Sequence, residues 1–184
     1  MTVTGHGTGF RRLGERTVHE GHVITVAVGT FAAPDGTTFE RDVVHHPGAV
    51  GVVAVDGDGF VSLVRQYRPV VDAEILEIPA GVRDQPDEEP LQCARRELRE
   101  EVGLAAATWA PLARFHVAPG FSDEVFHLFL AQDLTTVPRD VQGVEEEAMT
   151  IERVSLADVP DLIADGTLAD AKTITGLLIA RELR

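Results

Sequence analysis

Residues 94–104 read ARRELREEVGL, and this stretch limits the fold more than any other. Leu91, Ala94, Leu98 and Val102 recur at three- and four-residue steps, which predicts a helix over 90–102 with one apolar side; Gly103 is its natural stop. Glu97, Glu100 and Glu101 then stand at i, i+3 and i+4 on one face, where like charges cost a helix about 0.2–0.5 kcal/mol per pair. The apolar side must pack, so the acidic face has a fixed direction. Two accounts of it are open. It is a solvated face laced with Arg95, Arg96 and Arg99, with Arg96 four residues before Glu100. Or the carboxylates are hard-oxygen ligands for a divalent cation, which converts repulsion into coordination. The turn Pro79-Ala80-Gly81 ends the preceding apolar run and is small enough to approach that face closely.

Around this helix the chain alternates short apolar runs with turn signals. HVITVAVGTF, TFERDVVHH, AVGVVAVDG, FVSLVRQYR and AEILEIPAG read as strands, separated by APDGT and DGDG, the first of them joined as hairpins. WAPLARFHVAPG, EVFHLFLAQDL and MTIERVSL are three more, and LADVPDLIADG and DAKTITGLLIARELR are helical. Residues 1–9, MTVTGHGTG, are expected to be poorly ordered. This is an α+β pattern: a mixed sheet, one central helix and C-terminal helices.

The 184 residues suit one domain with a small appendage. With 16 Lys and Arg against 30 Asp and Glu, the formal charge of −14 argues against a non-specific surface for nucleic acid or anionic membrane. Phosphates remain accessible to an acidic protein through a bridging cation. The single cysteine, Cys93, excludes an internal disulfide framework, and there is neither a signal-type N-terminus nor a membrane-length apolar run. The expectation is a cytoplasmic protein.

Residues 81–104, GVRDQPDEEPLQCARRELREEVGL, resemble the Nudix box. The second half matches that pattern throughout, at Arg96, Glu97, Leu98, Glu100, Glu101, Gly103 and Leu104, and Glu88 lies eight residues before Arg96 as the pattern requires. The front departs from it, with six residues instead of five between Gly81 and Glu88; a loop one residue longer accounts for this. The resemblance implies an α/β/α sandwich. It also implies metal ligation by Glu97, Glu100, Glu101 and the Ala80 carbonyl, with Mg²⁺ as the ion and Mn²⁺ as an alternative. Glu88 and Arg96 take the part of a salt bridge steadying the loop, and Arg96 also faces a phosphate.

Flanking sequence resembles the ADP-ribose pyrophosphatase branch. Pro119 lies 15 residues after Leu104, EIPAG leads into the box, DGTLADAKTITGLLIA resembles the branch's C-terminal helices, and a strand-rich segment precedes HHPGAVGVV. This implies hydrolysis of ADP-ribose to AMP and ribose 5-phosphate. The alternatives are another nucleotide sugar such as GDP-mannose, or a non-catalytic nucleotide-sensing domain. Arg41 and Arg68 are then substrate contacts, with Glu77 and Glu124 as further candidates for ribose or metal-bound water. Glu147, with Glu146 as the neighbouring choice, is the general base. Trp109 and Phe121 fit core and stacking platform equally. Residues 1–46 are expected to form a β-region that dimerises the chain and shares Arg41 with the partner's site, and residues 47–184 the catalytic domain.

Overall fold

The computed structural model describes residues 9–141, 143 and 147–183. The expectation for residues 1–8 and the assignment to Glu146 lie outside the described residues.

Ten strands and three helices are described. They are β1 (Arg11–Glu20), β2 (Thr25–Ala32), β3 (Thr38–His45), β4 (Ala49–Val55), β5 (Phe60–Arg68), β6 (Ala73–Glu77), β7 (Ala80–Val82), α1 (Pro90–Val102), β8 (Leu104–His116), β9 (Val125–Thr136), β10 (Thr150–Ser155), α2 (Val159–Ala164) and α3 (Ala171–Glu182). They fall into two compact units. The N-terminal one runs to Pro47 and also takes in His116–Val125; the other holds Gly48–Phe115 and the residues from Phe126 onward. No helix among the described residues is long and apolar enough to cross a membrane.

The first unit is an antiparallel sheet in the order β1-β2-β3. Phe39 is its aromatic centre: Phe31 stacks on it at 5.6 Å, Phe10 meets it edge-on at 6.2 Å, and the Arg41 guanidinium lies 4.8 Å from its centroid. Residues of the 116–125 segment join β3: the Val44 N–H donates to the Phe121 carbonyl, and the Asp123 N–H to the Val44 carbonyl. His45 is held between the Asp123 and Glu15 carboxylates, at 2.5 and 2.9 Å. The sequence reading passed over β1. Its RRLGERTVHE carries no sustained apolar alternation, and all ten residues are exposed; pairing with β2 alone makes it a strand.

The second unit is built on β4. All seven of its residues are buried, which requires cover on both faces of the sheet. Val53 and Val55 point into one cluster with Val61, Leu63, Leu128, and Val159, Leu168 and Leu177 from the C-terminal region. Val50, Val52 and Ala54 point into another with Cys93, Ala94 and Leu98 of α1. The sheet order is β10-β5-β4-β9-β8, with β6 on β5 and β7 on β4; β4 and β9 run parallel, and the pairs β4–β5, β4–β7, β5–β6 and β5–β10 are antiparallel. This is the expected mixed sheet with helices on both faces. Two details differ from the sequence reading: EILEIPAG divides into the two strands β6 and β7, and β8 begins at Leu104, directly after the helix.

One buried polar link ties α3 to the sheet. Thr173, fully buried, accepts from the Ile78 N–H at 2.9 Å and donates to Asp170 at 2.7 Å, while the Asp170 carboxylate also caps α3 through the Thr173 N–H. Thr173→Val keeps the volume but orphans the Ile78 N–H. A loss of about 1–3 kcal/mol in urea unfolding is expected; an unchanged midpoint and slope would show that this link does not hold the helix.

Candidate metal and diphosphate site

α1 begins with Pro90 in its first turn, and the Gln92 side chain accepts from the Glu89 N–H. It stops at Gly103, whose φ of 64° is the left-handed geometry that glycine adopts without strain. Cys93, Ala94, Leu98 and Val102 seat one side in the core. The acidic face is not solvated: Glu97, Glu100 and Glu101 are only 6%, 8% and 4% exposed. Carboxylates this deep must be paired.

Arg96 pairs with two of them. Its Nη1 donates to Glu97 at 2.7 Å and to Glu100 at 3.0 Å. Its Nε and Nη2 make a two-pronged contact to Glu88 at 3.1 and 3.0 Å. The hydrogen bonds to Glu88, ahead of the neighbouring Glu97 charge, push the guanidinium pKa further up and hold the Glu88 carboxyl below its ordinary value. In the loop just before Glu88, Asp87 adopts a left-handed φ of 62°.

β7 closes over the face. The Ala80 N–H donates to Glu101 at 2.9 Å. A Cβ on Gly81 would lie 2.0 Å from the Glu97 carboxyl carbon, so only glycine lets the strand pass this close to the unmoved side chain. Arg83, which the sequence reading did not single out, continues the loop: its N–H donates to the Gly48 carbonyl and its Nη2 to the Glu88 carbonyl. Only the contacts, not a sequence pattern, identify it.

Arg68 and Glu77 are engaged with each other. Glu77 is 2% exposed and accepts from Arg68 Nε at 2.7 Å and Nη2 at 2.8 Å. That bond raises the Arg68 pKa, with the charges of Glu77, Glu101 and Asp170 contributing. Arg68 therefore lies within electrostatic range of Glu101, and Glu77 holds the Arg68 side chain in place. Glu147 is exposed, two residues before Met149, which is buried in the same cluster as α1. Arg41 and Glu124 belong to the first unit. Arg41 is exposed, and its Nη1 donates to the Glu40 carbonyl. Phe121 is 57% exposed, whereas Trp109 packs against the α1 cluster with its Nε1–H on the Ala106 carbonyl.

Three buried carboxylates beside a closely passing backbone strand form a hard-oxygen donor set of the kind that holds divalent cations against phosphate oxygens. Among the described residues no group of three ligating side chains is arranged as a ready-made metal cage. Arg96 and the Ala80 N–H hold carboxylate oxygens that a cation would take. The chain belongs to the NUDIX domain family, whose pattern matches residues 45–177, a family that works with divalent metal ions. It is 36% identical over 163 residues to the ADP-ribose pyrophosphatase of Bacillus subtilis (strain 168), covering 89% of this chain and 88% of that one. To the ADP-ribose pyrophosphatase of Mycobacterium tuberculosis (strain ATCC 25618 / H37Rv) it is 37% identical over 169 residues, covering 92% and 82%. The crystal structure of an ADP compounds hydrolase superposes with a TM-score of 0.81 at 27% identity, covering 95% of this chain and 93% of that one.

The Glu88–Arg96 pair has a pH signature. Because the folded Glu88 pKa is depressed, its contribution is complete above the unfolded glutamate value and disappears as pH falls through the folded one. Glu88→Gln should cost about 1–3 kcal/mol at pH 7, and the gap from the parent should close on acidification below the glutamate range. Denaturant curves from pH 7 to pH 3 test this; a gap constant with pH would remove the charge from the explanation.

Proposed function

We propose that this chain hydrolyses the diphosphate bond of ADP-ribose, giving AMP and ribose 5-phosphate, with Mg²⁺ as the working ion. The observation that carries this reading is the buried Glu97–Glu100–Glu101 face under β7, in a chain that matches ADP-ribose pyrophosphatases over nearly its whole length. Glu97, Glu100, Glu101 and the Ala80 carbonyl would hold the metal. When bound, a divalent cation polarises the diphosphate and neutralises its charge. The protein's own groups do the rest. Arg96, already beside the carboxylates, would offer its guanidinium to a phosphate oxygen. Arg68, fixed in rotamer by Glu77, presents its remaining N–H groups to the diphosphate. Glu147 accepts the proton of the attacking water, delivered by a segment anchored at Met149.

Glu101→Gln keeps the shape of the side chain and removes one ligand charge. Turnover of ADP-ribose should fall by roughly two orders of magnitude or more, with little change in unfolding midpoint. Glu147→Gln should lower kcat far more than KM. Parent-like turnover by the Glu101 variant would dismiss the carboxylate face. A parent-like kcat for the Glu147 variant would move the base elsewhere. Assaying GDP-mannose in parallel, with Mg²⁺ and with Mn²⁺, separates the substrate and metal alternatives.

The N-terminal unit is best read as a dimerisation element. β1 is an edge strand exposed along its whole length, with Leu13 and Val18 about half exposed. Such an edge invites a second chain. Arg41 then serves the partner's site. Light scattering should give about twice the 19.9 kDa chain mass. Mixing Arg41→Ala and Glu101→Gln chains should restore part of the activity each lacks, since one hybrid site keeps both residues. A fully active monomer would overturn the shared site, and a dimer without complementation would confine Arg41 to its own subunit.

A further inference from the structure

A cavity of about 360 Å³ opens on another side of α1, lined by Arg95, Arg99, Leu104, Ala106, Trp109 and Pro138 among others. At 100° per residue, Arg95 lies about 200° around the helix from Glu97, so the cavity and the carboxylate face are separate places. Its size falls within the range of small-molecule sites.

The walls are tied together. The Val137 N–H donates to the Gly103 carbonyl at 2.9 Å, fastening the segment after β9 to the end of α1. Arg139 Nε reaches the Glu100 carbonyl at 3.4 Å, and the Trp109 indole N–H is fixed on Ala106 at 3.1 Å. The lining includes two guanidiniums one helical turn apart, Arg95 and Arg99. Arg95 lies over the Trp109 ring, 5.7 Å from its centroid, and makes no salt bridge among the described residues. Among the described residues Arg99 pairs with Asp140 at 3.6 Å, both side chains being 57% exposed. In a chain of net charge −14, two arginines beside an indole and an aliphatic wall form a local exception.

We propose that this cavity is an accessory binding site for a planar aromatic anion of about the size of a nucleoside monophosphate. The ring lies along the Leu104 and Pro138 wall at the edge of Trp109, whose face Arg95 covers, and the phosphate or carboxylate bridges Arg95 and Arg99. This inference does not depend on the hydrolysis reading. Its site shares no side chain with the carboxylate face.

Trp109 is the only tryptophan, so its fluorescence reports the cavity directly. Titrating the intact chain with AMP in EDTA should give a saturable change in that fluorescence. Adenosine, which lacks the anion, and ribose 5-phosphate, which lacks the ring, should bind at least tenfold more weakly. Arg95→Ala/Arg99→Ala, with circular dichroism unchanged, should weaken AMP at least tenfold and leave ADP-ribose turnover intact, whereas Glu101→Gln should keep AMP binding at this site. No saturable change, equal affinity for adenosine, or equal affinity in the double arginine variant would each overturn the proposal.

Discussion

Three glutamates that are almost completely buried on one helix face are the constraint around which the second unit is arranged. Removing a carboxylate from water costs several kcal/mol unless charge and hydrogen bonds replace the solvent. Arg96 does much of this for Glu97 and Glu100, and the backbone N–H of Ala80 contributes for Glu101. Each partner imposes a condition. Arg96 must be held in place, which the two-pronged contact from Glu88 achieves. Ala80 must come close, and with the Glu97 side chain in place that leaves no room for a Cβ at 81.

The sheet makes that face rigid. β4 is buried along its full length and its side chains alternate between two clusters, so α1 is clamped from below while the C-terminal helices close the other face. Arg68 and Glu77 come from β5 and β6, which pair with each other, and the Thr173 bridge fixes Ile78 one residue beyond Glu77. Groups that reach the carboxylates thus rest on strands and a capped helix, not on free loops, which suits a site that must hold charges to within a fraction of an ångström.

Much of this was legible in the sequence. The 3.6-residue period around Leu91, Ala94, Leu98 and Val102 defined α1, and alternation defined most of the strands, because these signals are local. β1 escaped because its polar residues depend on β2 for their conformation. The allegiance of residues 116–125 to the N-terminal unit escaped for a similar reason: they lie between two strands of the other unit in sequence but pair with β3 in space.

The sequence by itself determined that Glu97, Glu100 and Glu101 share a face and that this face has one direction, since both follow from helical spacing and an apolar opposite side. It could not decide between solvation and burial. Only the tertiary structure did so, by folding Ala80 and Gly81 onto the helix and by aiming Arg96 at Glu88, Glu97 and Glu100 together. It likewise joined Arg68 to Glu77, and Ile78 to Thr173 across 95 residues. The reason is physical: helical and strand periods are written over a few neighbouring residues, whereas the desolvation of a charge depends on which distant segments arrive to replace water.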